Sequence, residues 1–334
     1  MMDETDSTVT RCPACFGAPS QPVWATAPPA TFTLRRCDGC GLMFTAPALA
    51  ADAIRAYYDD SYYGAMNVRF NSVFESLILW FRTRRARKLL RMCPPGRVLD
   101  VGCGRGHILA FLASRGWDVH GVELNESAAR HARDSLGLDV SIGGFDAVQF
   151  PPEHFDVVIL WHVLEHLSDV RTTLDGVLRI VKPGGLVVIA VPNIASWQAR
   201  LTRYHWFHLD LPRHYVHFSE AWLREKLASL NLRIVEVNHF AFEQNPFGWV
   251  QSVLNACGIR QNLLYNLLKS RSARNIDSPW RQLPIQSFFS LLGFVLLLPL
   301  ACFMLLPECI FRSGPTIEIY ARRETLGGQD GSAD

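Results

Sequence analysis

The sequence lacks a strong excess of charge of either sign, and it shows no internal repeat. Its 334 residues include 33 Lys and Arg and 31 Asp and Glu, which leaves a formal net charge of only +2. So small a charge gives no electrostatic reason to expect a nucleic-acid partner, and we expect none. The sequence also shows no secretory signal, and its nine cysteines therefore predict a reducing, cytoplasmic setting.

The segment from residue 98 to 109 contains a glycine loop that matches neither of two common phosphate-binding sequence motifs, the dinucleotide fingerprint and the P-loop. Three apolar residues and Asp100 form a short predicted strand, and three glycines at every second position precede a helix-prone run. His107 stands where the dinucleotide fingerprint has its last glycine, and no Lys-Ser or Lys-Thr pair of a P-loop follows. The loop therefore predicts a nucleotide-binding α/β domain for another ligand.

Two acidic residues favour a cationic ligand that carries a ribose. Asp100 precedes the glycines directly, and a carboxylate there suits a cation better than a pyrophosphate. Glu123 ends the second predicted strand, about 20 residues past the first glycine, where an acid can accept hydrogen bonds from both ribose hydroxyls.

The segment from Asp100 to Gly106 resembles motif I of class I S-adenosylmethionine (SAM) dependent methyltransferases. The resemblance extends to residues 155–167 and 181–190, in the family's order and spacing, and it covers roughly residues 95–240. It implies an α/β fold with a Rossmann-like class I methyltransferase sheet and SAM as the methyl donor. The residues that it places beside SAM are Asp100, Gly102, Gly104, Gly106, Glu123, Leu124, Asp146, Trp161 and His162.

Alternating strand and helix patterns in this region predict a parallel sheet that is covered on both faces. The predicted strands lie at 98–101, 117–122, 139–142, 155–160, 186–191, 233–240 and 316–321. The predicted helices lie at 126–136, 169–181, with Ser168 as the N-cap, and 220–229. In the resembled fold the last two strands pair directly, although here residues 241–314 separate them.

Four cysteines near the start of the sequence predict a structural zinc site. Cys12 and Cys15, and then Cys37 and Cys40, form two C-x-x-C pairs at a separation close to that of a zinc ribbon. Each pair can place two thiolates on one tetrahedral Zn²⁺, and four protein ligands leave no open position for catalysis. The alternative is a set of buried thiols or a redox pair.

The segment from His162 to His166 carries candidate substrate contacts. It matches the H-x-x-E-H zinc protease signature, but that signature requires a helix, whereas this segment follows a buried strand. The resemblance instead places it at the carboxyl end of the fourth strand, beside SAM and substrate. Glu165 and His166 are therefore candidate catalytic residues, with a hydrogen-bonded turn as the alternative.

A histidine-rich segment at 206–219 supplies the favoured general base. It resembles the His-x-x-x-Phe-Ser segment of sugar C-methyltransferases that also carry an amino-terminal zinc-binding region. In that resemblance His214 falls on the histidine proposed as base, while Arg213 replaces a glutamate of that family. The ordinary pKa of histidine suits proton transfer near neutrality. The alternative for His214 is a packed loop histidine.

Residues 285–306 form an apolar run without charge, near the length of a membrane span. The flanking strands must share one side of a bilayer, and Pro299 interrupts the run. We therefore predict a re-entrant helical hairpin that anchors the chain to the cytoplasmic face of a membrane, flanked by Arg281 and Arg312. A buried core helix is the alternative.

Six segments follow from these features. They are a disordered tail (1–10), a zinc ribbon (11–47), a helical linker or lid (48–94), the methyltransferase domain (95–240 and 315–323), a hydrophobic membrane-associating insertion (241–314) and a second disordered tail (324–334). The predicted function is SAM-dependent methylation of a small-molecule acceptor that is lipid-linked or membrane-associated, such as a glycan or a quinone precursor. The alternatives are a soluble nucleotide-sugar C-methyltransferase and a non-enzymatic zinc-ribbon scaffold.

Overall fold

The computed structural model describes residues 11–17, 20–24, 32–48, 72–269 and 283–325. The predicted tail at 1–10, much of the predicted linker at 48–94, Arg281 and most of the second predicted tail lie outside these residues. The strands are β1 (Ser20–Pro22), β2 (Thr33–Cys37), β3 (Met43–Ala46), β4 (Arg97–Val101), β5 (Asp118–Glu123), β6 (Asp139–Ile142), β7 (Phe155–Trp161), β8 (Val181–Pro192), β9 (Val216–His217), β10 (Leu232–Asn238) and β11 (Thr316–Arg323). The α-helices are α1 (Ser72–Met92), α2 (His107–Ala113), α3 (Glu126–Leu136), α4 (Val170–Ile180), α5 (Trp197–Thr202), α6 (Glu220–Ser229), α7 (Asn245–Ala256), α8 (Leu263–Leu268), α9 (Pro284–Phe303) and α10 (Leu305–Ile310).

The larger sheet has seven strands in the order β10-β11-β8-β7-β4-β5-β6. The strands from β4 to β8 run parallel, whereas β11 is antiparallel to both of its neighbours, β8 and β10. The predicted α/β sheet and the direct pairing of the last two strands are therefore confirmed. A parallel sheet gathers the carboxyl ends of its strands at one edge, which is where such sheets bind ligands.

Alternate side chains of the central strands pack into two separate hydrophobic clusters, one on each face of the sheet. On β7, Val158 and Leu160 pack with residues of α4 and α6, while Val157 and Ile159 pack with residues of α1, α2 and α3. This alternation follows from the two-residue period of a strand, and it explains why the β7 sequence reads as a continuous apolar run. Burial on both faces fixes the register of the strands that carry the site.

The helix after β7 begins one residue later than the sequence predicted. Asp169, not Ser168, is the N-cap of α4, and its carboxylate accepts a hydrogen bond from the Thr172 amide at 2.8 Å. Both residue types cap helices well, so the local pattern could not separate the two neighbours. Elsewhere, Ser219 caps α6 through its hydroxyl.

The smaller sheet joins the cysteine-bearing segment to the rest of the molecule. Its order is β1-β2-β3-β9, and all of its pairs are antiparallel. The first three strands belong to the predicted zinc ribbon, but β9 comes from the histidine-rich segment far along the chain. The ribbon is therefore completed by a strand of the neighbouring region.

The predicted re-entrant hairpin is wrong. A single helix, α9, runs from Pro284 to Phe303 through Pro299, and the short α10 follows it. Proline removes one backbone donor, but Leu297 and Leu298 before Pro299 and Ala301 after it pack into one cluster with helix α7. Packing on both sides of the proline therefore stabilises a continuous helix.

Candidate active site

A cavity of about 610 Å³ lies at the carboxyl ends of β4 and β7. Its floor contains the glycine loop, one wall contains the histidine-rich segment, and another wall contains helices of the insertion. The lining residues used below are Arg85, Asp100, Gly102, Gly104, Trp161, His162, Glu165, His166, Asp210, Arg213, His214, Gln244, Phe294, Leu298 and Cys302. Residues that are far apart in the sequence thus line the same cavity.

The glycine loop needs glycine for two separate reasons. Gly102 and Gly104 have φ angles of 73° and 56°, a region that side chains disfavour. A Cβ on Gly102 would lie 2.5 Å from a Val163 methyl, whereas a Cβ on Gly104 would meet no atom of the described residues within 4 Å. The open space beside Gly104 is where a ligand can approach the backbone. Gly106, at the N-cap of α2, instead makes room for Leu138.

Two buried carboxyls stand beside this loop. Glu123 accepts hydrogen bonds from the amides of Gly104 and Asn125, each at 2.8 Å. Burial raises the pKa of Glu123, and burial together with the charge of Glu123 raises the pKa of Asp100 to about 8. A cation bound next to them would restore the charged forms. The pair therefore fits a ribose and a sulfonium or ammonium group, as expected for SAM.

Other predicted SAM contacts fall into two groups. Trp161 and His162 end β7 and line the cavity. Leu124 and Asp146 are exposed beyond the ends of β5 and β6, outside the residues that line the cavity. Their assignment as SAM contacts stays a prediction, and so do the roles of the other predicted site residues.

His162 belongs to a hydrogen-bonded network that crosses the cavity. Its Nδ1 donates to Glu165 Oε1 at 3.1 Å, and its Nε2 accepts from the Gln244 amide nitrogen at 3.0 Å. The Gln244 oxygen accepts from the Thr316 hydroxyl at 2.7 Å. Among the described residues, the second carboxylate oxygen of Glu165 is buried without a hydrogen-bond partner, and burial raises the pKa of this carboxyl.

The predicted catalytic histidines lie side by side. The ring centroids of His166 and His214 are 4.8 Å apart, and one ligating atom each from Glu165, His166 and His214 lies within 4.8 Å of the others. The Nδ1 of His166 donates to the Arg213 carbonyl at 2.9 Å, and that of His214 donates to the His208 carbonyl at 2.7 Å. Both rings therefore carry their hydrogen on Nδ1, which leaves Nε2 as the basic nitrogen.

Burial keeps these histidines neutral. It lowers the pKa of His166 to about 4 and also lowers the pKa of His214, which the Asp210 carboxylate partly offsets. The nearest carboxylate oxygen of Asp210 lies 3.9 Å from His214 Nε2. A neutral imidazole next to a carboxylate can accept a proton and then hold the resulting cation.

The four predicted zinc ligands form one cluster. The sulfurs of Cys12 and Cys40 are 3.5 Å apart, as are those of Cys15 and Cys37, and all four sulfurs lie within 4.8 Å of one another. Four thiolates at 2.3 Å from a tetrahedral Zn²⁺ would be separated by roughly 3.8 Å. The cluster therefore fits the predicted structural ion.

Several cavity residues were not predicted from the sequence. Arg85 comes from α1 and pairs with Glu243 and Glu318, and Gln244 and Phe294 belong to the insertion. No local pattern marks them, since they reach the cavity only through tertiary packing. Asp210 could have been suspected from its place among the histidines.

A family model described as "Methyltransferase domain" matches residues 80–237. These residues include the glycine loop, both buried carboxyls and the paired histidines. The matched residues make up just under half of the chain, and they are similar to a methyltransferase domain. The fold and the glycine loop of this region thus agree with the resemblance to class I SAM-dependent methyltransferases that the sequence showed.

Curated relatives of the methyltransferase domain match over part of their length. A probable SAM-dependent methyltransferase from Mycolicibacterium smegmatis is 29% identical over 117 residues, which cover 34% of this chain and 46% of that protein. A ubiquinone biosynthesis O-methyltransferase from Pseudomonas entomophila is 38% identical over 104 residues, 29% of this chain and 44% of the relative. The chain thus spans less than half the length of these relatives.

Solved structures resemble the methyltransferase domain at low sequence identity. A SAM-dependent methyltransferase from Archaeoglobus fulgidus aligns with a TM-score of 0.45 and 20% identity, covering 80% of this chain and 99% of that chain. A putative sarcosine dimethylglycine methyltransferase from Galdieria sulphuraria aligns with a TM-score of 0.48 and 13% identity, covering 82% and 98%.

Proposed function

We propose that this protein transfers a methyl group from SAM to a small-molecule acceptor that is held at a membrane surface. The observation that carries the proposal is the composition of the cavity. The glycine loop, the paired histidines and the apolar helix α9 line the same space. A donor site, a proton acceptor and an apolar entrance are the parts that methylation of a lipid-like acceptor requires.

The chain's own residues have simple tasks in this reaction. SAM supplies an electrophilic methyl group, which an acceptor oxygen, nitrogen or carbon attacks in line as the bond to sulfur breaks. Glu123 and the backbone of the glycine loop hold the donor, and the cavity orients the acceptor. His214 Nε2 takes the proton that the acceptor loses, with His166 as the second candidate.

The outward face of α9 supports attachment to a membrane. Ile285, Phe288, Val295 and Phe303 are 71%, 60%, 67% and 71% exposed. A helix that leaves so many large apolar side chains uncovered needs an apolar surface to cover them. Within the described residues α9 is long and apolar enough to span a bilayer, with 17% of its apolar window buried.

The topology favours a helix that lies in the plane of the membrane. Strands β10 and β11 flank the insertion and pair with each other, so both ends of the insertion lie on one side of any bilayer. One crossing is therefore excluded, and α9 packs along α7 rather than folding back on itself. The inward side chains Phe294, Leu298 and Cys302 of the same helix line the cavity, so an acceptor can reach the site directly from the membrane.

A quinone-type acceptor has the support of the ubiquinone biosynthesis O-methyltransferases among the relatives. A lipid-linked glycan is equally compatible with the apolar wall. The alternative of a soluble nucleotide-sugar C-methyltransferase is supported by the place of His214 in the same cavity as the glycine loop. In the structure Arg213, which replaces the glutamate of that family, forms a short ion pair with Asp210.

The acceptor can be sought with methyl-labelled SAM and separate membrane and soluble extracts. We expect the label to enter a lipid-soluble product of the membrane extract. Label found only in water-soluble products would contradict a membrane acceptor and favour the nucleotide-sugar alternative. Protein that binds SAM but labels neither extract would leave the scaffold role as the better account.

Membrane binding can be measured by sedimentation with vesicles of phosphatidylglycerol and phosphatidylethanolamine. The double variant Phe288→Glu/Val295→Glu places two charges on the outward face of α9, and we expect it to stay in the supernatant while the natural protein pellets. Leu136→Glu, at an exposed leucine of α3, is the matched control and should pellet normally. Equal pelleting of all three proteins would refute α9 as the anchor.

A further inference from the structure

The predicted zinc ribbon touches the methyltransferase domain at the segment that carries His214. Strand β3 pairs with β9, with Phe44 opposite Val216 and Met43 opposite His217. Strand β9 begins two residues after His214. The ribbon therefore holds the backbone next to His214, the proposed base, although the ribbon and His214 lie far apart in the sequence.

One ribbon side chain, that of Thr45, makes the connection. It is 1% exposed, its hydroxyl donates to the His214 carbonyl at 2.9 Å, and its amide donates to the Tyr215 carbonyl at 2.8 Å. Because that hydroxyl has a single hydrogen, the His217 Nε2 at 3.0 Å must donate to it. Thr45 thus holds the carbonyls of His214 and Tyr215 and the ring of His217.

The same backbone is also held by the turn after β7. The Tyr215 amide donates to the Glu165 carbonyl at 2.8 Å, and the His166 ring binds the Arg213 carbonyl. Residues 213–215 therefore lie clamped between the ribbon and the turn after β7. Small displacements of either partner would move the His214 ring.

The side chains of this clamped segment point in opposite directions. Tyr215 packs in a hydrophobic cluster with Cys12, Leu42 and Phe44 of the ribbon, whereas His214 lines the cavity. Extended backbone sends consecutive side chains to opposite faces. The ribbon core and the His214 ring thus sit on the two faces of one short stretch of chain.

We propose that Thr45 is a positioning residue for His214, so that the zinc ribbon sets the geometry of the acceptor side of the site. The proposal rests on the proposed function only for the role of His214 in turnover; the effect of Thr45 on the ring does not depend on it. Thr45 acts by fixing the His214 carbonyl, which keeps the ring within reach of the His208 carbonyl and leaves Nε2 directed to the cavity.

Valine in place of Thr45 keeps the shape and removes the hydroxyl, while serine keeps the hydroxyl. The matched control is Thr33→Val, which removes a hydroxyl of the same small sheet whose partner among the described residues is the ribbon's own Ala46 carbonyl. All proteins are full length, are checked for one zinc per chain, and carry ¹⁵N-labelled histidine. The His214 ring signals are assigned by comparison with a His214→Gln variant.

In the natural protein we expect His214 to show the tautomer with its hydrogen on Nδ1. Thr45→Val should give a mixture of tautomers, while Thr45→Ser and Thr33→Val should keep the natural signal. With total membrane lipid as acceptor and labelled SAM, Thr45→Val should lower turnover by about 10- to 100-fold, since a misplacement of about 1 Å costs this much. Its affinity for SAM should not change.

The outcomes separate this inference from the proposed function. An unchanged His214 signal in Thr45→Val would overturn the positioning role, whatever the activity. Equal effects of Thr45→Val and Thr33→Val would also overturn it, because they would show general damage to the ribbon. A shifted ring signal in a protein without any methyl transfer would uphold the positioning role and refute the proposed function.

Discussion

The cavity has two walls that are built in different ways. The proposed donor wall comes from one stretch of chain that runs from β4 through the glycine loop to the end of β5, where Glu123 binds the Gly104 amide. The acceptor wall combines the turn after β7, the histidine-rich segment, helices of the insertion and, through Thr45, the zinc ribbon. The first wall depends on short-range geometry, and the second depends on how distant segments pack.

This difference explains which part of the site is general and which is particular to this chain. In the proposed function, a strand, a glycine turn and a carboxylate bind the donor with few side chains, and such an arrangement can serve many acceptors. The acceptor wall adds apolar side chains of α9 and a strand contact with the ribbon. We therefore expect variants of the acceptor wall to change turnover and membrane binding, while SAM affinity follows the donor wall.

Loss of the zinc site should have the largest effect. The double variant Cys12→Ser/Cys37→Ser removes one ligand from each C-x-x-C pair, and structural zinc sites of this kind contribute about 10–16 kcal/mol to folding in small peptides. We expect metal analysis to fall from one zinc per chain to none, and turnover to be lost because β3 no longer holds β9. SAM affinity, measured by calorimetry, should be retained.

The matched control for this variant is Cys257→Ser, at an exposed thiol outside the cluster, which should keep its zinc. Zinc that persists in the double variant would place the metal elsewhere. Loss of SAM affinity together with the zinc would show that the two walls are not independent.

On the donor wall, Gly104→Leu should abolish measurable SAM binding, with a loss of affinity of about 100-fold or more. The added side chain occupies the open space beside the loop, where the ligand must approach. Gly116→Leu is the control, because Gly116 also has a positive φ and open surroundings but lies outside the cavity lining. Similar SAM affinity of the two variants would refute the assignment of the donor site.

On the acceptor wall, His214→Ala should lower turnover by roughly 10²-fold and leave SAM affinity intact, since it removes a proton acceptor and no donor contact. His205→Ala, at an exposed histidine just before the histidine-rich segment, should turn over normally. Labelled-SAM assays with the identified acceptor and calorimetry measure the two quantities. Full activity of the His214 variant would indicate that His166 accepts the proton of the acceptor or that no base is needed.

The same contrast between the walls decides how much the sequence could predict. The glycine loop and Glu123 were recognised because local patterns encode them, and the pairing of β10 with β11 followed from the family's order of strands. The hairpin at Pro299 was wrong because packing with α7 outweighs one missing hydrogen bond. Gln244 and Thr45 were missed because nothing local distinguishes a residue whose partner lies far along the chain.

A buried carboxyl, that of Glu308 in α10, lies where the insertion meets the methyltransferase domain. Its oxygens accept hydrogen bonds from Trp249 Nε1 at 2.7 Å and, at longer range, from the amide groups of Gln198 and Asn245. Within the part of the chain that the structure describes, the amide oxygens of Gln198 and Asn245 are buried without a donor. Burial raises the pKa of Glu308 to about 7, so the acid form is favoured in the folded protein.

Glu308→Gln should therefore have the smallest effect of the series, a change in how stability depends on pH. Because the folded pKa lies above the unfolded one, Glu308 stabilises the fold below about pH 4.5 and loses this contribution as the pH rises through 7. Glutamine stays neutral, so we expect a melting temperature a few degrees above that of the natural protein at pH 8.5 and little difference at pH 5. Thermal unfolding at both pH values measures this, with exposed Glu225→Gln as the control. An equal shift at both pH values would show that the carboxyl is already ionised in the fold.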